Sequence, residues 1–407
     1  MIEIRKVQTI DGRRIDRIVK SDNMQVIEAE HLVMFPALID PHVHFRVPGA
    51  EHKETWESAA RAAIAGGVTT VFDMPNNNPS CVSKKRLEEK MQRIDEQLKS
   101  SGIPLRYYLY LGADQNHLDE IAKVKEKIIG LKIYMGSSTG DLLMDRLPAL
   151  EKAFQIAGEN GVIVAVHAED EERIAERKKQ FAGEKDPAVH SKIRNPEVAT
   201  SALDLAIQLA EKHGARLYVA HVSTREELAL IRAAKKRGAA VYAEVTPHHL
   251  FLNEADYKRL GTFALVNPPL RTKADNAALF EAIHEETIDT VGTDHAPHTR
   301  EEKQAPYGSA PSGFPSIELY FALLLNAHHE GKLSLEEIVS LTHTRPQEIF
   351  KLPPNDDIVL VDMNKKRTID DSHLRTKAKW SPYAGKTVTG WPRYVILKGK
   401  IYDLEKL

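Results

Sequence analysis

The stretch Leu38-Ile-Asp-Pro-His-Val-His-Phe45 decides how the rest of the chain is read. Its apolar run predicts a strand, and alternation along a strand sends residues two apart to the same face. His42 and His44 then point the same way from neighbouring pleats. Two convergent imidazoles suit a metal ion, for which neutral imidazole is a common ligand. The same spacing would also arise if two of the eighteen histidines fell by chance on a surface loop, so the motif needs support from elsewhere.

Working outward, short apolar runs alternate with helical stretches. Strands are predicted at residues 37–45, 68–73, 105–110, 130–134, 162–167, 216–221, 240–245 and 289–294. Helices are predicted at 83–99, 118–127, 147–160, 199–213, 225–237, 274–285 and 316–330. Alternating strands and helices imply a parallel sheet, and eight such units close best as a (β/α)8 TIM-like barrel. An open doubly wound sheet is the alternative. Both chain ends have a different texture, with short alternating strands such as Gln25-Val-Ile-Glu-Ala-Glu30, Asp357-Ile-Val-Leu-Val-Asp362 and Tyr394-Val-Ile-Leu-Lys-Gly-Lys-Ile-Tyr402. The expected organisation is an α/β barrel over 38–351, with a small β-sandwich domain built from 1–37 and 352–407.

The barrel makes a demand that the sequence can meet or fail: site residues should sit at the carboxyl ends of strands. His42 and His44 close the first strand, Asp73 the second, and Lys132 lies late in the fourth. His167, His221, Glu244 and Asp294 end the fifth to eighth. Lys132 stands in Ile128-Ile-Gly-Leu-Lys-Ile-Tyr134, an almost wholly apolar setting in which an ammonium is costly to desolvate. Either its stem reaches water, or it pairs with a carboxylate across the barrel, or it is modified. A lysine of lowered pKa can become a carbamate, an anion able to bridge two metal ions.

Composition limits the possible functions. The 407 residues are 42% hydrophobic and 28% charged with a formal net charge of −2, so the basic excess of nucleic-acid binding is absent. The run from Lys84 to Lys90 reads as a solvated helix face. Cys81 is the only cysteine, which excludes an intramolecular disulfide and fits a reducing cytoplasm. The start, Met1-Ile-Glu-Ile-Arg-Lys6, lacks the apolar core of a signal peptide, and no apolar run approaches the roughly 18 residues of a membrane span. The expectation is a cytoplasmic enzyme without membrane contact.

An ordered series of motifs then resembles a known family. It comprises Asp40-Pro-His-Val-His-Phe-Arg46, Gly66-Gly-Val-Thr-Thr-Val-Phe-Asp-Met-Pro-Asn76, Leu131-Lys-Ile-Tyr134, Val166-His-Ala-Glu169 and Ala220-His-Val-Ser223. Glu244-Val-Thr-Pro-His-His-Leu250, Asn267-Pro-Pro-Leu-Arg271 and Gly292-Thr-Asp-His-Ala-Pro-His298 complete it. Spread over essentially the whole chain, these resemble the cyclic-amide hydrolases of the amidohydrolase superfamily, most closely the dihydroorotase family. The resemblance implies two Zn²⁺ ions per subunit: His42, His44 and Asp294 on one, His167 and His221 on the other, with carbamylated Lys132 and a hydroxide between them. Asp294 would be the catalytic base and then acid. It further implies that Arg46, Asn76 and His298 grip the carboxylate of dihydroorotate, with Asn267 positioning the ring.

Hydantoinases and allantoinases, whose substrates lack that carboxylate, generally do not keep this Arg and Asn together. A different cyclic ureide hydrolase is the enzymatic alternative, and an inactive scaffold relative the non-enzymatic one; the complete ligand set argues against the scaffold. Ser138 and Thr139 lie on a Gly-rich loop that could cover the site. Glu244, His248 and His249 are read as supports behind the ligands or as core or capping residues. Where many family members carry Glu after the Arg of the first motif, this chain has Val47, which bears on how the Pro48-Gly49 turn is held. The partner expected is a small molecule, with neither nucleic acid nor membrane, and a homodimer is possible.

Overall fold

The computed structural model describes residues 1–137 and 140–407, so the expectation for Ser138 and Thr139 lies outside the described residues. The amino-terminal strands are β1 (Ile2–Thr9), β2 (Arg14–Val19), β3 (Gln25–Glu28) and β4 (Val33–Pro36). The next eight are β5 (Leu38–Val43), β6 (Val68–Asp73), β7 (Arg106–Gly112), β8 (Gly130–Tyr134), β9 (Val164–His167), β10 (Leu217–Val219), β11 (Val241–Val245) and β12 (Thr290–Val291). They form one sheet in sequential order, and every pair in it is parallel. A parallel bridge between Val43 and His295 brings the eighth strand's end back to the first, which makes the sheet a barrel.

The chain ends build a second sheet. β13 (Ile358–Thr368), β14 (Thr387–Leu397) and β15 (Lys400–Asp403) join β1 to β4 in a single sheet of seven strands. The link between the halves is the antiparallel pairing of β13 with β4. β4 runs almost directly into β5, so this sheet is anchored one residue before the strand that carries His42.

Most predicted helices and strands form, but the first helix of the structure, Trp56–Ala65, is not among those predicted. Residues Leu147–Asn160 and Arg225–Lys236 are helical, the latter opened by a Thr224–Glu227 capping box. Three departures have local causes. Only Glu120–Val124 of the predicted 118–127 helix forms, too short for an amphipathic stripe of its own. After β9 the chain makes Glu171–Gln180 and Val189–Ile193 before reaching Pro196–His213. The eighth strand pairs through two residues only.

Aromatic side chains fill the amino-terminal end of the barrel. Phe350, from the helical segment after the last barrel strand, packs edge-on against Phe72 and Tyr218, with ring centroids 4.8 and 5.1 Å apart. Ile39, Tyr110, Ile163 and Ala165 complete this plug. The closed end leaves the carboxyl ends of the strands as the open face. Among the described residues no helix is long and apolar enough to cross a membrane.

The solvated-face reading of 84–90 fails at one residue. In the helix Lys84–Ser101, Lys90 is buried along with Leu87, Ile94 and Leu98. Its ammonium lies 2.5 Å from Asp73 Oδ2 and donates to Met74 O and Asn77 Oδ1 at 2.8 Å. Asp73 Oδ1 in turn accepts from Phe45 N at 2.7 Å, so the pair ties the end of β6 to the end of β5. Removing one partner of a buried pair strands the other charge. Lys90→Met should therefore cost about 3–5 kcal/mol of stability, read from the urea unfolding midpoint.

Candidate active site

Four of the predicted site histidines come together at the open end of the barrel. His42 donates from Nδ1 to Glu244 Oε1 at 2.8 Å, which turns its Nε2 toward Asp294 Oδ1, 3.3 Å away. His44 Nε2 lies 3.0 Å from the same oxygen, and its Nδ1 donates to Asn76 Oδ1 at 2.7 Å. His42, His44 and Asp294 are all buried, and their ligand atoms lie within 4.8 Å of one another. Burial alone would raise the Asp294 pKa, but His42, His44 and His221 hold it well below the usual carboxylate range. Burial also pushes His44 down to about 4, leaving its ring neutral and able to ligate.

Beside this cluster, His167 Nδ1 and His221 Nε2 face each other at 2.9 Å, and the His221 ring centroid lies 5.4 Å from that of His42. His167 donates its other nitrogen to Glu169 Oε2 at 2.9 Å. Glu169 also pairs with Arg194; burial would raise its pKa, but Arg194 and His167 bring it to about 2.

Lys132 settles neither on water nor on a carboxylate. Its Nζ is fully buried and has no hydrogen-bond partner among the described residues, with the Tyr134 ring 5.2 Å away. Burial lowers its pKa to about 8, against the pull of Glu244 and Asp294. An orphaned amine, imidazoles with nitrogen lone pairs turned to a common space and one carboxylate make a donor set that fits metal ions.

A small pocket opens next to the cluster, lined by His44, Arg46, Asn76, Asn267, Asp294 and Gly313 among others. Arg46 is 6% exposed; its Nε donates to Pro297 O at 3.1 Å, and its Nη2 lies 3.2 Å from His298 Nε2. Among the described residues no carboxylate lies within ion-pair distance of this guanidinium. Asn267 Oδ1 accepts from His190 Nε2 at 2.8 Å. Larger surface grooves lie far from these residues, one of them between the 367–375 segment and the carboxyl terminus.

Glu244 proves to be a support. Besides His42, its Oε1 accepts from His221 N at 3.0 Å, and its Oε2 from Tyr218 OH at 2.8 Å. His249 is held by Thr246 Oγ1 and Pro268 O, as expected for a core or capping residue, whereas both ring nitrogens of His248 are buried without hydrogen-bond partners among the described residues. The Pro48-Gly49 turn is held by Asn77 Nδ2 on Val47 O and Asn78 N on Pro48 O. Val47 itself is buried in the main core.

Other features went unread in the sequence. Asp40 accepts from Thr293 N and Oγ1 at 2.9 and 2.6 Å, joining the first and eighth strands; burial raises its pKa to about 7. Glu169 is two residues from His167, a spacing that strand parity could have flagged. Arg194 lies in a loop with no period to betray it. Arg46, His221 and Asp294 have φ of 65°, 41° and 45°, a left-handed region that bulky side chains rarely adopt.

The amidohydrolase family matches residues 33–402. A dihydroorotase of Halobacterium salinarum is 37% identical over 403 residues, covering 96% of this chain and 91% of its own length. One from Bacillus subtilis is 35% identical over 408 residues, covering 95% and 91%. The chain belongs to the amidohydrolase family, in its dihydroorotase branch. Among solved structures, the L-hydantoinase (dihydropyrimidinase) of Arthrobacter aurescens superposes with a TM-score of 0.91 at 27% identity, covering 98% of this chain and 95% of that one. This amidohydrolase thus shares a frame with hydantoinases and a sequence with dihydroorotases. The family is metal-dependent, and the cluster of His42, His44 and Asp294 is placed to hold an ion.

Gly292 explains why the support carboxylate can sit where it does. A Cβ there would lie 2.2 Å from Glu244 Oε2 and 3.0 Å from His42 Cβ. Gly292→Ala should displace Glu244 and weaken metal affinity about 10- to 100-fold, as loss of a partner behind a ligating histidine does. A competitive chelator titration reads this directly.

Proposed function

We propose that the protein is a zinc-dependent dihydroorotase, which reversibly hydrolyses the cyclic amide of (S)-dihydroorotate to N-carbamoyl-L-aspartate in pyrimidine (UMP) synthesis. The observation that carries the substrate is Arg46: a buried guanidinium, facing a pocket beside the ligand cluster, with no carboxylate among the described residues within ion-pair distance. A guanidinium stays charged in such a setting and matches a carboxylate through paired N–H donors. The ring carboxylate supplies the missing anion. Asn76 and Asn267 line the same space and would orient the ring so that its amide carbonyl faces His42, His44 and Asp294, while His298 stands against Arg46 from behind.

His42, His44 and Asp294 would hold one zinc, His167 and His221 the second, with Lys132 as a carbamate between them. When bound, such ions make water acidic enough to ionise near neutral pH and polarise the carbonyl under attack. Lys132 is suited to carbamylation because its amine is buried, has no hydrogen-bond partner among the described residues, and burial favours the neutral, nucleophilic form. Asp294, kept ionised by its imidazole neighbours, takes the proton from the attacking water at its carboxylate oxygen. It then delivers that proton to the departing ring nitrogen, which leaves as the amide of the carbamoyl group while the ring carbonyl becomes a carboxylate. Glu244 fixes the His42 ring, and Glu169 the His167 ring, throughout.

The hydantoinase neighbours support a second reading, hydrolysis of a cyclic ureide without a carboxylate. Dihydroorotate and dihydrouracil assayed side by side, with zinc and after chelation, separate the two. Turnover of dihydroorotate alone is expected, and turnover of dihydrouracil alone would overturn the proposal. Arg46→Met should lower kcat/KM for dihydroorotate roughly 100-fold, through loss of charged hydrogen bonds to the carboxylate. Lys132→Ala should abolish turnover, with partial return on adding acetate or propionate. Full activity in that variant without rescue would remove the bridging role.

A further inference from the structure

Behind the cavity stands a lysine that neither the metal cluster nor the carboxylate grip accounts for. Lys53 lies in the loop between β5 and the helix Trp56–Ala65, with its side chain 15% exposed. Its Nζ is 3.0 Å from His298 Nδ1 and 3.2 Å from Glu302 Oε1. An ammonium has donors and no lone pair, so the nitrogen it faces must present a lone pair. For a neutral imidazole this places the ring proton on Nε2. That nitrogen has a waiting acceptor in Ser312 O at 3.1 Å. It also lies 3.2 Å from Arg46 Nη2 at the cavity.

We propose that Lys53 is a positioning residue that fixes His298 in its Nε2–H tautomer, with that N–H spent on Ser312 O, so that the ring takes no donor from Arg46 and leaves its guanidinium free for the substrate carboxylate. This rests on the dihydroorotate reading above. The opposite tautomer would aim Nδ1–H at Glu302 Oε2, 3.6 Å away and beyond hydrogen-bond range, and set an N–H against the Lys53 ammonium. It would also make His298 an acceptor for Arg46, using up a donor that the anion needs. With the proton on Nε2 and spent on Ser312 O, Arg46 Nη2 keeps its donors for an anion in the pocket that Arg46 lines. A doubly protonated ring is disfavoured, because burial and the cations of Arg46, Lys53 and Lys303 hold the His298 pKa well below its ordinary value. Gly313 lets the backbone beside Ser312 come this close: a Cβ there would lie 3.1 Å from His298 Cδ2 and 2.4 Å from Ala296 O.

The test uses zinc-loaded enzyme carrying ring-¹⁵N histidine, with the His298 signals assigned by difference from His298→Gln. In the wild type, long-range ¹⁵N–¹H correlations should show Nε2 protonated and Nδ1 bare. Lys53→Met should shift the ring toward the Nδ1–H form or a mixture and raise KM for dihydroorotate about 10- to 100-fold, with kcat changed far less. Lys53→Arg, which keeps a donor toward Nδ1, should retain the wild-type ring signature. A wild-type ring protonated on Nδ1 overturns the proposal, as does an unchanged ring in Lys53→Met, even with raised KM, since that reports charge attraction only. The ring signature does not depend on turnover, so a wild type inactive on dihydroorotate would sink the substrate reading while the tautomer stands or falls separately.

Discussion

One buried carboxylate, Glu244, holds the catalytic end of the barrel together. It accepts from a ring nitrogen on the first strand, from the backbone after the sixth and from a hydroxyl within the sixth, and it does so only because Gly292 on the eighth leaves room. A buried carboxylate without such donors would be strongly disfavoured. With them, it fixes His42 with one nitrogen turned inward and sets the position from which His221 projects. Asp40 repeats this logic between the first and eighth strands, through Thr293. The ligand cluster is therefore a product of barrel closure, and not an addition to its rim.

The site divides into two electrostatic halves. On one side, imidazoles, Asp294 and an orphaned lysine surround a space suited to cations. On the other, Arg46 faces a pocket with Lys53 and His298 behind it and, among the described residues, no carboxylate paired with it. The first half depends on the strand ends, which explains how a hydantoinase with 27% identity can superpose so well. The second half depends on the loops after β5 and β12, which can vary without disturbing the barrel. On the proposed reading, substrate choice is thus separable from hydrolytic chemistry, and sequence relatives and structural neighbours can carry different names without contradiction.

Much of this was legible in the chain. Strand–helix alternation and polar residues at the ends of apolar runs were enough to place His42, His44, Lys132, His167, His221 and Asp294 at one end of a barrel. Even the two-residue strand Thr290–Val291 did not spoil this, because position after a strand matters more than its length. What stayed hidden depends on long-range geometry. Arg194 reaches Glu169 from a loop without periodicity, and the lack of an anion at Arg46 is a property of the folded pocket alone. Lys90 is an intermediate case: the stripe of Leu87, Ile94 and Leu98 has a gap that Lys90 fills, but a lysine among charges reads as solvated unless its buried partner is known.

The left-handed backbone at Arg46, His221 and Asp294 has an evolutionary consequence. At each of these positions glycine would relieve the main chain, so selection for thermal robustness alone would favour replacing the very side chains the site is built from. Stability and function pull in opposite directions at these three points. A lineage of this protein adapting to heat must find its gains elsewhere, in loops, helix caps and surface charge, while these turns persist as inherited strain.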